Sequence, residues 1–439
     1  MEATNNTQKD WDETIPNLPI EENEKDNIIK VFGVGGGGSN AINHMYRKGI
    51  TGVSFVVCNT DSQALRDSPV PYKLRIGDLG AGSKPEVAQK AAEQYLEEIK
   101  AALGQNTRMV FVTAGMGGGT GTGAAPIVAK TAKEMGILTV AIVTIPFAFE
   151  GKYKIEKALK GVANLSQYVD ALLVINNEKL CELYPDLDLN NAFAKADDVL
   201  TNAAKAIAEI VTITGYINID FADVETTMHE SRVAVMNTGY ASGENRIKNA
   251  IEDALNSPIV NTKNISGARN ILLSLYCSKE HQISMKEVQQ INEFMDTVGD
   301  KVQEVIWGAT YDDSLGEQVK ITLIATGFDI ENIPGMSLYL NNKPQDITSN
   351  TKTPEDDEPN SEEEIMNIIK AVYGKSETPK ATTSDNETSE EKEIEIEEDT
   401  TEENKMEEIA EIGLDDEFDP FAADDMDDLL STPAYLQKK

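Results

Sequence analysis

Short apolar runs alternate with amphipathic stretches along the chain from residue 27 onward. The runs rich in β-branched residues are 27–34, 53–60, 109–115, 139–146 and 171–177. They are apolar almost throughout, which is typical of strands that are covered on both faces. Helical patterns lie between them, near 39–48, 85–103, 121–135 and 153–166. The alternation predicts an α/β fold with a parallel sheet between two layers of helices.

A long helical pattern follows at 190–215. Its apolar side chains recur at spacings of three and four residues, as one face of a helix requires. The residues of this stripe are Phe193, Ala196, Leu200, Ala203, Ile207 and Ile210. Later strand-like runs lie at 231–241, 268–278, 301–311 and 318–328, with helical patterns near 243–257 and 284–299. We therefore expect a second, smaller α/β domain, joined to the first by the long helix.

The charge of the chain is concentrated near its end. The net charge is −36, and residues 351–430 contain 30 acidic and 6 basic residues. A segment so polar and so poor in aromatic residues cannot bury enough apolar area to offset its ordering entropy, so we expect a disordered acidic tail. Within it, EEEIMNIIKAVYG at 362–374 has the pattern of a transient helix.

These patterns divide the chain into six parts. The expected organisation is a flexible arm at 1–25, a first domain at 26–189, the central helix at 190–215, a second domain at 216–345, an acidic linker at 346–430 and an end peptide at 431–439.

Composition also excludes several classes of protein. An acidic chain without a basic stripe is a poor nucleic-acid binder, and no apolar run approaches the roughly 18 residues that span a bilayer. The polar, acidic first residues predict no signal peptide.

The cysteines are odd in number and lack metal-ligand spacing, which suits a reducing cytoplasm; they are Cys58, Cys181 and Cys277. No catalytic or metal-binding pattern surrounds the histidines, which we expect to be structural or surface residues: His44, His229 and His281.

The first of two glycine-rich segments, GVGGGGSN at 33–40, lies between a strand pattern and a helix pattern. Gly33, Gly35 and Gly38 fit G-x-G-x-x-G, in which missing side chains let backbone N–H groups approach phosphate oxygens. Asp61 follows at about the spacing of a ribose-binding carboxylate. This segment alone is compatible with a dinucleotide-dependent enzyme or with a tight turn between a strand and a helix.

The second segment, TAGMGGGTGTGAAP at 113–126, also lies between a strand and a helix. In a parallel sheet both segments emerge at the carboxyl edge, where ligands bind. Two phosphate cradles at one crevice suit a triphosphate, and the hydroxyls of Thr120 and Thr122 can add donors. No G-K-[ST] follows, so this is not a Walker A loop.

The run GGGTGTG at 117–123 resembles the nucleotide loop of the tubulin/FtsZ family. Further segments match that family in order over about 28–335: GVGGGGSNAINHM, CNTDSQAL, LGAGSKPEVAQKAAE, PFAFEGK and INIDFADV. The resemblance implies a GTPase, with a GTP-binding domain at 26–189 and an activation and polymerisation domain at 216–345. It also implies Mg²⁺ held mainly by phosphate oxygens and water, head-to-tail filaments of the chain itself, and a cytoplasmic place in the bacterial division ring at midcell.

The same resemblance implies which residues contact GTP. They include Gly35, Gly36, Gly37, Gly38, Ser39, Asn40, Asn59, Gly80, Ala81, Gly82, Gly117, Gly118, Gly119, Thr120, Gly121, Thr122 and Gly123. Glu150 is expected near the ribose, and Lys154 stands where the family commonly has an arginine. Asn177, Phe193 and Asp197 are expected at the base. A carboxylate such as Asp197 accepts from the N1–H and N2–H groups of guanine, whereas adenine presents an acceptor at N1.

Asp220 and Asp223, in NIDFADVETTM at 218–228, stand three residues apart where a helix is expected to begin near Phe221. From the residues alone, the pair either caps that helix or positions an attacking water with help from Asn218. The resemblance implies the second role, with this segment at the opposite end of the subunit and in reach of the next subunit's GTP. A filament protein that binds GTP without hydrolysing it is the remaining alternative.

The end peptide STPAYLQKK resembles the family's terminal peptide, which docks on actin-like membrane tethers and on other division proteins. Its expected partner-binding residues are Pro433, Ala434, Tyr435 and Leu436, and Gln437 stands where a basic residue is often found. The acidic linker would then be a solvated tether. On that basis, a chain truncated after about residue 345 should still hydrolyse GTP and form filaments.

Overall fold

The computed structural model describes residues 27–186, 188–256, 267–298, 302–341 and 362–373. The arm at 1–25, the end peptide with Pro433–Leu436 and most of the acidic linker lie outside the described residues. The strands of the described part are β1 Ile29–Val34, β2 Ser54–Asn59, β3 Lys73–Arg75, β4 Met109–Gly115, β5 Leu138–Ile145, β6 Ala171–Asn176, β7 Arg232–Ala241, β8 Asn270–Cys277, β9 Glu304–Tyr311 and β10 Val319–Phe328.

All of these strands belong to one sheet, in the order β3-β2-β1-β4-β5-β6-β7-β10-β8-β9. The section from β3 to β6 is parallel, as predicted, whereas β10 runs antiparallel to both β7 and β8. The two sections meet through β6 and β7, which pair only at Ala171 with Arg232 and at Leu172 with Val233. The described chain is therefore an α/β protein with a mainly parallel first section and a mixed second section.

Helices cover both faces of this sheet. In the described residues they are α1 Gly35–Arg47, α2 Ser62–Arg66, α3 Pro85–Gln94, α4 Leu96–Leu103, α5 Thr120–Glu134, α6 Lys152–Leu165, α7 Glu178–Leu183, α8 Leu189–Thr212, α9 Phe221–Met228, α10 Arg246–Leu255, α11 Met285–Val298, α12 Met336–Asn341 and α13 Glu362–Tyr373. Residues of α1, α2, α8 and α9 form the core on one face, and residues of α3 to α6 and α10 to α13 form the core on the other. Strand residues alternate between the two cores, so the strands read as apolar throughout.

The long helix predicted at 190–215 is α8, which begins one residue earlier and ends at Thr212. Asp188 caps it, because its carboxylate accepts from the backbone N–H of Asn191 at 2.9 Å. None of the helices in the described ranges has the length and apolar character needed to cross a bilayer.

The helix predicted at 85–103 is in fact two helices, α3 and α4. They meet at Tyr95, whose φ of −110° and ψ of 29° leave the helical region. Tyr95 and Leu96 both pack against the core at this bend. The sequence marks the bend with neither glycine nor proline, so the pattern alone did not reveal it.

Residues 362–373 correct the prediction of a disordered linker with a transient helix. They form α13, whose Ile368 and Val372 are buried in the core that α6 and α12 share. The strongly charged surroundings dominated the composition, yet two apolar residues four positions apart are enough to bury one helix face against a receiving surface. The compact unit extends to Ser376, so a truncation that preserves the fold should follow residue 376, and residue 345 is too early.

Candidate functional site

The two glycine-rich segments lie side by side at the carboxyl edge of the parallel section. β1 pairs with β4 so that Val34 is level with Ala114, and both chains leave the sheet at the same height. Helix α1 begins at Gly35, earlier than the predicted start near residue 39, and α5 begins at Thr120. Neither helix has a side-chain cap, so both present first-turn N–H groups to the crevice, as an anion site requires.

Several of the glycines are explained by close packing, which the sequence interpretation did not anticipate. A Cβ on Gly35 would lie 2.6 Å from the backbone nitrogen of Gly121, and a Cβ on Gly121 would lie 2.6 Å from the carbonyl oxygen of Gly115. A Cβ on Gly38 would overlap the carbonyl oxygen of Thr113. Gly35 and Gly38 bring the two segments into backbone contact, and Gly121 lets the second segment pack against itself. These glycines therefore build the cradle and need not all touch a ligand.

Other glycines face open space. A Cβ on Gly36 or Gly118 would meet no atom within 4 Å. A methyl group there fits the folded chain, and both positions lie at or next to the starts of α1 and α5. These two positions therefore distinguish ligand binding from folding.

Alanine at Gly118 should leave the fold intact and weaken GTP binding. We expect the free energy of unfolding to change by less than about 0.5 kcal/mol, as at unhindered surface sites. The GTP affinity should fall about tenfold or more, because the methyl group displaces the phosphate from a backbone N–H. A hydrogen bond from such a group to a charged ligand contributes about 1.5–3 kcal/mol. Chemical denaturation and equilibrium binding measure the two quantities. Gly38→Ala is the contrasting variant, since overpacking at that position costs about 1–3 kcal/mol of stability. A Gly118→Ala variant that binds GTP normally would contradict the placement of the phosphates.

The threonine hydroxyls are bonded within the protein. Thr122 Oγ1 accepts from the backbone N–H of Gly117 at 2.9 Å and so shapes the second segment. Thr120 Oγ1 lies 2.6 Å from Thr60 Oγ1, and all three threonines are buried. Their first role in this structure is to hold the loop, and donation to phosphate stays a prediction.

Asp61 acts as a helix cap. Its carboxylate accepts from the backbone N–H groups of Gln63, at 2.9 Å, and Ala64, at 3.4 Å, and so begins α2. A carboxylate occupied in this way is a poor candidate for binding ribose, which weakens the dinucleotide interpretation. Asn59, beside it, is buried and accepts from the N–H of Asp61 at 3.3 Å.

The loop with Gly80, Ala81 and Gly82 lies against the second glycine segment. A Cβ on Gly119 would lie 2.8 Å from Cβ of Ala81. Gly80 and Gly82 have φ of +77° and +56°, and a Cβ on either would meet nothing within 4 Å. The loop therefore forms a further wall of the same crevice.

Two predicted contact residues carry buried polar atoms that lack a partner in the described part of the chain. These atoms are Ser39 Oγ, in the second turn of α1, and Asn177 Oδ1, immediately after β6. A buried polar atom without a hydrogen bond is costly, and such atoms commonly await a ligand or water. Both atoms therefore fit a polar ligand in the crevice.

The base side of the crevice is formed by α8 and by the loop after β5. Phe193 is 41% exposed and meets Phe147 edge to face, with ring centres 5.1 Å apart. Asp197 lies one turn further along α8. Burial raises the pKa of its carboxyl to about 6, against a lowering by His44 and with a further rise from Asp198. A half-buried acid beside an exposed aromatic ring is suited to hold a flat heterocycle that has N–H donors.

Asp198, the next residue of α8, is directed to a different neighbour. Its Oδ1 lies 2.8 Å from His44 Nε2 and also pairs with the Lys48 ammonium, both on α1. Successive helix positions differ by about 100°, so only one of two adjacent aspartates can face the crevice. Sequence reasoning did not detect this bridge; the spacing of His44 and Lys48, one helix turn apart, was the available signal.

Glu150 stabilises the loop after β5 from within. Its Oε1 accepts from the backbone N–H of Phe147 at 2.8 Å, and its other oxygen pairs with the Lys154 ammonium. The sequence analysis did not identify Glu178, whose Oε2 accepts from the backbone N–H of Ala148 at 2.9 Å. Lys154 is also near the second glycine segment, since a Cβ on Gly117 would lie 2.9 Å from Lys154 Cγ.

Asp220 and Asp223 form a reciprocal capping box at the start of α9. Each accepts from the other's backbone N–H at 3.0 Å, so the capping interpretation is confirmed. One oxygen of each carboxylate remains outside these two bonds, and Asp220 is exposed. Asn218, also exposed, accepts from the N–H of Gly215 at 3.3 Å. Capping therefore leaves the pair available for a second role.

This segment lies at the amino edge of the parallel section. Arg108 immediately precedes β4, and its guanidinium carbon is 4.6 Å from the centre of the Phe221 ring. At the other end of α9, His229 Nδ1 is 3.3 Å from an oxygen of Asp170, which immediately precedes β6. The second glycine segment follows the carboxyl end of β4, and the first follows the carboxyl end of β1, the parallel strand beside it. Because β4 has seven residues, the two edges are about 20 Å apart.

Comparison with known proteins agrees with this arrangement. Residues 28–185 match the family model "Tubulin/FtsZ family, GTPase domain", and residues 232–329 match "FtsZ family, C-terminal domain". Cell division protein FtsZ of Porphyromonas gingivalis is 52% identical over 310 residues, which cover 69% of this chain and 68% of that protein. The Coxiella burnetii protein of the same name is 44% identical over 331 residues, 74% of this chain and 84% of its own. The solved structure "FtsZ dimer, empty (M. jannaschii)" has 41% identity and a TM-score of 0.63, covering 68% of this chain and 88% of its own. The chain belongs to the tubulin/FtsZ family of GTPases.

Proposed function

We propose that this GTPase assembles head to tail with copies of itself and hydrolyses GTP where two subunits meet. The crevice at the carboxyl edge binds GTP, with the glycine segments at the phosphates. Asn177, Phe193 and Asp197 bind the guanine, and Glu150 and Lys154 lie on the ribose and phosphate side. Asp220, Asp223 and Asn218 of the neighbouring subunit complete the site.

The separation of the two functional edges carries this proposal. The acidic segment at the start of α9 lies at the amino edge, about 20 Å from the carboxyl edge with the glycine segments. No side chain spans that distance, so a subunit's own carboxylates do not reach its own phosphates. Head-to-tail stacking brings the amino edge of one copy against the carboxyl edge of the next. The similar M. jannaschii protein was solved as an FtsZ dimer, which supports self-association.

The chemistry follows from the groups at each edge. The carboxylate oxygens that do not cap α9 accept a proton from a water and orient it towards the γ-phosphorus. The water oxygen forms the new P–O bond while the bond to the β–γ bridging oxygen breaks, giving GDP and inorganic phosphate. Backbone N–H groups of the two glycine segments stabilise the charge that develops on the phosphate oxygens.

Three further assignments belong to the same proposal. Mg²⁺ accompanies the triphosphate, held mainly by phosphate oxygens and water, the ligands this ion prefers. The filaments build the division ring at midcell in the cytoplasm, in keeping with relatives that are cell division proteins. Residues 433–436, outside the described part, bind membrane-tethering and other division proteins.

Sedimentation tests the assembly. The full chain with Mg²⁺ should pellet in GTP and stay in the supernatant in GDP, with phosphate release in the GTP sample. A chain truncated after residue 376 should behave in the same way, because it keeps the whole compact unit. A chain that stays in the supernatant in GTP would refute head-to-tail assembly. Pelleting without phosphate release would instead identify a filament protein that does not hydrolyse GTP.

A further inference from the structure

Helix α13 buries one apolar face against the body of the protein. Ile368 and Val372, one turn apart, are 2% and 3% exposed, whereas Met366, on another face of the same helix, is 47% exposed. The receiving surface is formed by α6, α12 and the chain around Gly335. The helix is thus docked through a defined stripe and is not simply laid on the surface.

The receiving surface is shaped for this helix. A Cβ on Gly335, which has φ of +78°, would overlap Cγ2 of Val372. The last carbonyl groups of a helix lack partners within it, and Asn176 Nδ2 donates to the carbonyl oxygen of Val372 at 3.3 Å. A buried asparagine at the end of β6 therefore recognises the carboxyl end of α13.

Tyr373 extends this contact to the loop after β5. Its hydroxyl donates to the carbonyl oxygen of Pro146 at 2.6 Å. Burial, with the nearby carboxylates of Glu178 and Glu150, raises the pKa of Tyr373, so the phenol keeps its proton. Pro146 directly precedes Phe147, the residue whose ring packs edge to face with Phe193.

The two polar contacts of α13 therefore reach two loops of the nucleotide crevice. Asn176 directly precedes Asn177, whose buried Oδ1 lacks a partner in the described chain. Pro146 begins the loop that continues to Glu150. A helix that sequence assigns to the tail thus holds the starts of the segments assigned to the base and the ribose.

We propose that residues 362–373 dock in cis as a brace that pre-orders the base and ribose side of the nucleotide crevice, so that undocking them weakens guanine-nucleotide binding. This inference rests on the proposed roles of Asn177, Phe193 and Glu150. Coupling between a docking site and a ligand site commonly changes affinity 5- to 150-fold. Because the rest of the tail follows directly from Tyr373, a partner that pulled the brace away would promote nucleotide release.

Point variants of the full chain test the brace in dilute, unassembled protein, with a fluorescent GDP analogue as the probe. Tyr373→Phe keeps the ring and removes one hydrogen bond, so the affinity should fall about two- to tenfold. Ile368→Asp puts a charge into the buried stripe and should weaken binding about tenfold or more. Met366→Asp, on the exposed side of the same helix, is the matched control and should bind like the unmodified chain.

Truncation and addition in trans separate docking from general stability. A chain that ends after residue 376 should bind the probe normally, whereas one that ends after residue 345 should bind it about tenfold more weakly or worse. A synthetic peptide of residues 361–376 should bind the shorter chain and restore its affinity for the probe. The Tyr373→Phe peptide should restore less, and neither peptide should affect the chain that ends after residue 376, because its docking surface is occupied.

The outcomes separate this inference from the proposed function. If Ile368→Asp and the truncation after 345 unfold at lower temperature yet bind the probe with full affinity, α13 is a packing element and the brace is refuted. If peptide 361–376 does not restore binding, docking in cis is refuted. If the unmodified full chain fails to bind the guanine probe, the proposed function fails first.

Discussion

Replacing Asp220 with asparagine should lower GTP turnover by about two to four orders of magnitude, the contribution typical of a positioned general base. Asparagine is as good a helix cap as aspartate, and its amide oxygen can still accept from the N–H of Asp223, as Asp220 Oδ1 does now. The fold should therefore survive while the charge and the basic oxygen are lost. Phosphate release measures the turnover, and thermal unfolding checks the fold.

The same variant tests whether hydrolysis occurs between subunits. Because Asp220 lies at the edge opposite its own glycine segments, Asp220→Asn should bind GTP normally and should assemble, since its bound GTP persists. Turnover per molecule of the unmodified chain should rise steeply with protein concentration. Adding the variant should lower the GTP turnover of the unmodified chain, because an unmodified subunit whose neighbour is the variant receives a segment without the Asp220 carboxylate. A rate per molecule that is independent of concentration, or a variant with normal turnover, would place the catalytic group within a single subunit.

The crevice should prefer GTP to ATP by about four orders of magnitude. A site built to hydrogen-bond particular donors rejects a ligand that lacks them by about 10⁴ or more. Asp197→Asn should shift the preference from GTP towards XTP, because its amide N–H matches the carbonyl that xanthine has in place of the guanine amino group. Competition binding with GTP, ATP, NAD and XTP measures the order. Equal displacement by ATP would contradict the role of Asp197, and tight NAD binding would revive the dinucleotide interpretation.

A matched variant and the pH dependence sharpen this test. Asp198→Asn alters the adjacent carboxylate, which binds His44 and Lys48, and should keep the preference for guanine.

Because burial raises the pKa of Asp197 to about 6, the carboxyl is protonated below that pH and loses acceptor capacity. The affinity for GTP should therefore fall as the pH drops through 6 and stay level above 7. Asp197→Asn should lack this pH dependence.

Much of the fold could be predicted because a strand covered on both faces leaves a recognisable apolar run. The predicted run at 109–115 matches β4 residue for residue, and the stripe from Phe193 to Ile210 predicted α8 to within three residues. Elements without a strong period were missed, such as the three-residue β3. The break at Tyr95 was missed as well, because core packing and not a local breaker residue makes that bend.

For the site, the guanine-binding role of Asp197 came from the family resemblance. The sequence by itself determined two glycine-rich turns that can admit an anion and a carboxylate pair three residues apart. Residue type and local spacing are sufficient for these. Only the tertiary structure decided which glycines are needed for backbone contact, as at Gly38, and which face open space, as at Gly118. It also placed the acidic segment at the start of α9 and the glycine segments at opposite edges of the sheet, and it docked α13 beside the crevice. Those features depend on which distant segments meet, and contacts between distant segments leave no local period in a sequence.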